Sequence, residues 1–219
     1  MTHKVGMIHT GIKVIFQVAC IPLLFGVIGC DGATAGEHLE RADAYFEQGQ
    51  WDEAVAEYTK AIDLDPELAA AYVSRGAAYG NEGYYDEAIA DLTRAIGLDS
   101  LNADAYYNRG VAYLHKMQYA EAIADFTTTI ELSPEFVLAY CGRGSAYERS
   151  WQYVEAIADF TTAIELAPEL AMAYLGRGQA YEGAGSIAEA ISDYEAFLTL
   201  SSDPDLNDWV SYRIQELGE

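Results

Sequence analysis

Few side chains in this sequence could do chemistry, and those few are scattered. Beyond residue 30 the histidines are His38 and His115, far apart in the chain. General acid–base work and metal ligation both need such groups gathered at short spacing or in one pocket. No G-x-S-x-G, H-E-x-x-H or phosphate-loop pattern occurs. Adjacent acids such as Asp86-Glu87 read as turn and helix-start residues, with no apolar pocket to raise a carboxyl pKa. The sequence therefore predicts no enzyme, no cofactor and no metal site. The three cysteines, Cys20, Cys30 and Cys141, offer no internal disulfide framework once the leader is considered. Cys141 reads as a small buried apolar residue.

The leader is of a different kind from the rest. Lys4 and Lys13 sit in a polar stretch, and Val14 to Gly29 form an apolar run interrupted only by Gln17 and Pro22. That run is short for a membrane span, which needs about 20 residues, but it suits the apolar region of a secretory signal. It ends in Val27-Ile28-Gly29-Cys30, which resembles a bacterial lipobox. The resemblance implies cleavage before Cys30 and a diacylglyceryl thioether on its sulfur. Residues 1–29 are then a lipoprotein signal peptide, and 30–36 are the lipidated cysteine with a short tether. The expected place is the extracytoplasmic side of the cell envelope, with the membrane reached through the lipid. All 35 acids lie after Cys30, against ten Lys+Arg there, a balance of −25. A field of that sign repels phosphate backbones, so nucleic acid is excluded as a partner and a basic protein surface is favoured.

What must position any site is a repeat. Ala71-Tyr72-x-x-Arg75-Gly76 recurs as Ala105-Tyr106-x-x-Arg109-Gly110, Ala139-Tyr140-x-x-Arg143-Gly144 and Ala173-Tyr174-x-x-Arg177-Gly178, each step 34 residues. A second element, Asp52-Glu53-Ala54, Asp86-Glu87-Ala88, Ala120-Glu121-Ala122, Val154-Glu155-Ala156 and Ala188-Glu189-Ala190, keeps the same step. Projected back, the first element falls on a degenerate copy at Glu37-His38-x-x-Arg41-Ala42. The spacing predicts two helices per unit, over 69–82 and 86–98 in the second, with the turn at Gly83. Asp65-Pro66 and Ser133-Pro134 are expected to start helices. After Leu200 the phase slips by two residues, and Asp203-Pro204 opens one more amphipathic helix.

These residues resemble the tetratricopeptide-repeat (TPR) pattern over about residues 35–217. The expectation is an all-α TPR solenoid over 37–219, with five helix-turn-helix repeats near 35–68, 69–102, 103–136, 137–170 and 171–204. A capping helix at 204–217 would cover the last open face. Small residues on the first helix (Ala42, Gly76, Gly110, Gly144, Gly178) face small residues on the second (Ala54, Ala88, Ala122, Ala156, Ala190), which lets the backbones approach. Fourteen of the seventeen tyrosines hold framework positions, leaving Tyr84, Tyr107 and Tyr212.

Arg41, Arg75, Arg109, Arg143 and Arg177 stand where the commonest TPR pattern has leucine. Glu57, Asp91, Asp125, Asp159 and Asp193 follow each by sixteen residues. An arginine inside a helical stack needs a partner, so these are expected to form structural ion pairs. Each acid is also expected to reach the arginine of the next unit, with Arg213 offering a sixth rung to Asp193.

The resemblance further implies that the first helices line a concave groove. Its protein-binding positions are Leu39, Ala70, Val73, Asp104, Tyr107, Leu138, Cys141, Met172 and Leu175, with the apolar stripe centred on Tyr107. Asp43, Ala77, Val111, Ser145 and Gln179 occupy the ninth positions, so the clamp some TPR grooves use for a C-terminal carboxylate is missing. The expected function is a non-catalytic scaffold or adaptor at the cell envelope, binding a basic or helical protein segment. The alternative is a structural lipoprotein that self-associates or concentrates cations on its acidic surface.

Overall fold

A computed structural model describes residues 32–218. The predicted signal peptide, Cys30 and Asp31 lie outside them. Among the described residues there are eleven helices and no strand. They pair as hairpins: α1 (Ala35–Glu47) with α2 (Trp51–Leu64), α3 (Ala69–Glu82) with α4 (Tyr85–Leu98), and α5 (Ala103–His115) with α6 (Tyr119–Leu132). Then α7 (Val137–Arg149) pairs with α8 (Tyr153–Leu166) and α9 (Ala171–Gly183) with α10 (Ile187–Leu200), and α11 (Pro204–Leu217) closes the stack. Five helical hairpins follow the 34-residue step, and the closing helix begins at Pro204, after the phase slip.

Local chemistry sets the ends. Thr34 caps α1: its hydroxyl accepts from the Glu37 amide while Glu37 accepts from the Thr34 amide. The helix therefore begins at Ala35, inside the stretch expected to be tether. Asp203 caps α11 through the amides of Asp205 and Leu206, with Pro204 in the first turn. The other Asp-Pro and Ser-Pro pairs do something different from the expected helix starts. Asp65 and Ser133 end α2 and α6, and the next helices begin at Ala69 and Val137. The Leu68 amide bonds back to the Asp65 carbonyl and the Glu67 amide to its carboxylate. Pro66 is thus the second residue of a tight turn, where its fixed φ fits.

Between the two helices of each unit the chain must turn through a left-handed residue. Gly49, Gly83 and Gly185 take it, but Met117 (φ 59°) and Trp151 (φ 65°) stand there in the third and fourth units. A side chain at such a φ is strained, and both are about three-quarters exposed. We expect Trp151→Gly and Met117→Gly each to raise stability by about 0.5–1 kcal/mol, after the entropy cost of glycine in the unfolded chain. Urea denaturation checks this. A drop in midpoint would show that the exposed side chain makes contacts worth more than its strain.

The core is a line of small residues facing large ones. Ala54, Ala88, Ala122, Ala156 and Ala190 are all buried, as are Gly76, Gly110, Gly144 and Gly178. Tyr58, Leu92, Phe126, Phe160 and Tyr194 fill the space between them. In the third unit Phe126 lies between Gly110 of its own hairpin and Gly142 of the next. A Cβ on Gly142 would stand 2.6 Å from the ring.

Four of the expected ion pairs form with one geometry. Arg75, Arg109, Arg143 and Arg177 each donate from Nε and Nη2 to both oxygens of Asp91, Asp125, Asp159 and Asp193, at 2.7–2.8 Å. The link to the neighbouring unit is different from the expected one. It runs backwards, from Nη1 to Thr59, Thr93, Thr127 and Thr161 on the preceding second helix, at 2.9–3.1 Å. Each guanidinium also lies 5.6–5.9 Å from the ring of Tyr72, Tyr106, Tyr140 or Tyr174.

The ends depart from this pattern. Glu57 is taken by His38, whose Nδ1 lies 2.6 Å from Oε2, and by Lys60, instead of by Arg41. His38 occupies the tyrosine position of the repeat and is buried, while Arg41 is exposed. Burial would raise the Glu57 carboxyl, but the hydrogen bonds from Lys60 and His38 outweigh it and hold it below the usual range. At the other end Arg213 pairs with Glu182 and Glu216, not with Asp193. The cause is the placement of α11, which packs on α10 and spans a gap to α9.

Candidate functional site

The first helices of the units carry the candidate groove residues. Val73 from α3, Asp104 and Tyr107 from α5, and Phe136 before α7 line a hollow of about 570 Å³, with Asp43 and Phe46 of α1 at its far side. Tyr107 also lines a second hollow of about 330 Å³, together with Leu138 and Cys141 of α7 and Met172 and Leu175 of α9. Tyr107 is therefore the ridge between two depressions. Leu138 and Met172 are half exposed. Leu39 packs into the core of the first hairpins, and neither it nor Ala70 lines either hollow.

Two residues sit deeper than a free contact surface requires. The Tyr107 ring lies 4.9 Å from Phe136 and 5.8 Å from Phe126, and burial raises its phenol above the ordinary value. It is part of the packing as well as part of the groove. Leu175 is only 5% exposed, held with Tyr194, Phe197 and Val210 where α9, α10 and α11 meet. The cause is α11, whose apolar side draws this position inward at the last unit. Burial pushes the Cys141 thiol up to about 11, which keeps it protonated and unreactive at neutral pH.

Further along, where α7, α9 and α11 face one another, lies a hollow of about 600 Å³. Ser145, Gly176 and Gln179 line both it and the second hollow, so the groove continues into it. The sequence pattern gives no sign of this space. By its 3–4 spacing Trp209 falls on the apolar side of the closing helix, yet it is 44% exposed. Phe46 and Phe136 were equally hidden, because neither recurs at its position in other units. Among the described residues no group of three His, Cys, Asp or Glu is placed to hold a metal ion.

Such an array of stacked helical hairpins with a groove along the first helices defines a superhelical repeat protein. Profiles of the TPR repeat match residues 42–83 and 81–116, and tetratricopeptide-repeat profiles match 103–136 and 141–205. The chain belongs to the tetratricopeptide-repeat family, and none of these profiles is of an enzyme family. Among solved structures it is similar to the crystal structure of MamA protein, at 28% identity and a TM-score of 0.69, over 77% of this chain and 92% of that one. A second MamA structure, from Desulfovibrio magneticus RS-1, shares 20% identity at a TM-score of 0.71, over 76% and 94% of the two chains. YrrB, described as a TPR protein with an unusual peptide-binding site, shares 21% identity at 0.68, over 83% and 92%. No curated protein sequence matches the chain.

Proposed function

We propose that this protein is a non-catalytic adaptor that holds an extended or helical segment of a partner protein in its concave groove. The observation that carries the reading is the pair of hollows on either side of Tyr107, edged by the half-exposed Leu138 and Met172. Apolar side chains left open along a groove mark a docking surface, and rigid aromatic residues in such places contribute most to binding. Asp104 at the rim steers a basic partner and speeds association more than it tightens the complex. YrrB, with the same fold, carries a peptide-binding site, which supports the reading.

The test uses peptides selected from a random library against the protein. Because Tyr107 also packs on Phe136, Tyr107→Ala should cost stability as well as affinity. The clean variant is Leu138→Ser with Met172→Ser, which removes exposed apolar surface and leaves Tyr107 in place. Peptide binding, followed by calorimetry, should weaken tenfold or more while the melting temperature stays nearly unchanged. Unchanged affinity in that variant would move recognition to the convex face or an end of the stack, and a mass that grows with concentration would favour self-association.

The adaptor is proposed to act at the cell envelope, anchored by a lipid on Cys30 after removal of residues 1–29; the Val27-Ile28-Gly29-Cys30 motif supports it. In its host the wild type should partition with membranes, and Cys30→Ser should release it. An intact Met1 peptide in the mature protein would rule the anchor out.

A further inference from the structure

The stack closes unevenly. Helices α3, α5, α7 and α9 each approach the first helix of the preceding unit to within 8 Å between Cα atoms, but α11 does not approach α9 that closely. The hollow of about 600 Å³ at the end of the groove is the result. Tyr194, a buried core residue, forms part of its wall, with the Trp209 ring set edge-on at 6.4 Å. Tyr153 and Tyr212 complete an aromatic lining, and Tyr212 is 59% exposed.

The acids of this hollow are not equivalent. Arg213 pairs with both Glu182 and Glu216, and the Tyr194 hydroxyl donates to Glu182 at 2.8 Å. Glu148, on the α7 wall, receives no side-chain hydrogen bond or ion pair from the described residues. It is partly buried, and burial raises its pKa against the opposing pull of its chain neighbour Arg149. Arg149 also lines the hollow, but it is exposed and makes no hydrogen bond or ion pair with Glu148, so this half-buried carboxylate still gains when a second cation arrives. The aromatic rings that line the same hollow attract the same charge.

We propose that this hollow is an arginine pocket, in which a guanidinium of the bound segment stacks on Trp209 and Tyr212 and pairs with Glu148. The proposal rests on the groove reading above. Continuity of the hollow with the groove through Ser145, Gly176 and Gln179 gives a bound segment its route in. The charge balance of −25 beyond Cys30 favours a basic occupant. Arginine fits better than lysine because its planar, weakly hydrated fork both stacks on rings and meets a carboxylate with two hydrogen bonds.

The probe is Nα-acetyl-arginine methylamide, titrated into the full-length protein while the indole N–H signals of Trp51, Trp151 and Trp209 are followed by NMR. A saturable shift is expected at Trp209 in the millimolar range, with none at the other two. The norleucine and lysine amides should shift it at least fivefold more weakly. Glu148→Gln should weaken arginine binding at least fivefold with the circular dichroism spectrum unchanged. If that variant does not fold, Tyr212→Ala, at an exposed ring, carries the same expected loss. Equal shifts from the norleucine or lysine amide, wild-type affinity in the variant, or no saturable shift at Trp209 would each overturn the pocket. The probe fills one hollow only, so its failure leaves the result with selected peptides standing. Failure of those peptides likewise leaves this titration to be read by itself.

Discussion

Arg109→Leu should lower stability by about 3–5 kcal/mol, and adding Asp125→Leu should restore part of the loss. Asp125 is 5% exposed, and both of its oxygens are bonded to Arg109 at 2.7 and 2.8 Å. Removing the guanidinium strands that carboxylate and also frees the Thr93 hydroxyl, which Arg109 bonds at 3.0 Å across the boundary between units. An apolar pair of similar volume carries no such penalty, so the double variant should be the more stable of the two. The Arg109 side chain keeps 17% of its surface in water, which places the single loss toward the lower end of the range. Urea denaturation of the two variants side by side decides it. A double variant as unstable as the single one would mean that the pair stabilises by its hydrogen bonds alone.

The second large effect concerns a glycine. Replacing glycine by alanine inside a helix ordinarily gains about 1 kcal/mol. At Gly142 we expect a net loss of about 1–2 kcal/mol instead, because the new methyl meets the Phe126 ring at 2.6 Å. The ring is fully buried and held on its other side by Gly110, so it has nowhere to retreat. The second unit shows the remedy: there Leu92 fills the ring's place, and Asn108 stands where Gly142 would. Phe126→Leu should therefore cancel most of the damage from Gly142→Ala, and a double-mutant cycle in guanidinium chloride measures the coupling. Stabilisation by Gly142→Ala alone would show that the ring has room to move.

Much of the fold was legible because the repeat writes each constraint several times. The offset from Arg75 to Asp91 recurs three more times, and a buried charge must be answered, so those pairs followed from sequence. The links to Thr59, Thr93, Thr127 and Thr161 recur equally, but a threonine carries no charge that demands a partner, and its role stayed hidden. Failures cluster where the repeat stops. Glu57 is one methylene longer than the aspartates, and His38 replaces the tyrosine, so the first rung changes partners. Arg213 lies nine residues after Pro204, as Arg75 lies after Pro66, but spacing within a helix says nothing about how α11 sets against the stack. The groove was half legible for the same reason. Its positions came from the period, while the depth of Tyr107 and Leu175 depends on Phe136 and α11, which occur once each.

Backbone contacts join each helix to its neighbours in the chain, and join the first helices of successive units from α1 to α9. For a chain still being made, no contact has to wait for residues far downstream, and each loop to be closed is short. The first hairpin, with its own capping box at Thr34, can order as soon as Leu64 has left the ribosome, and each later one has a finished surface to dock on. At any moment a nascent chain leaves open only the face of its newest hairpin. The last such face, with Tyr194 and Phe197, stays open until Pro204–Leu217 arrives.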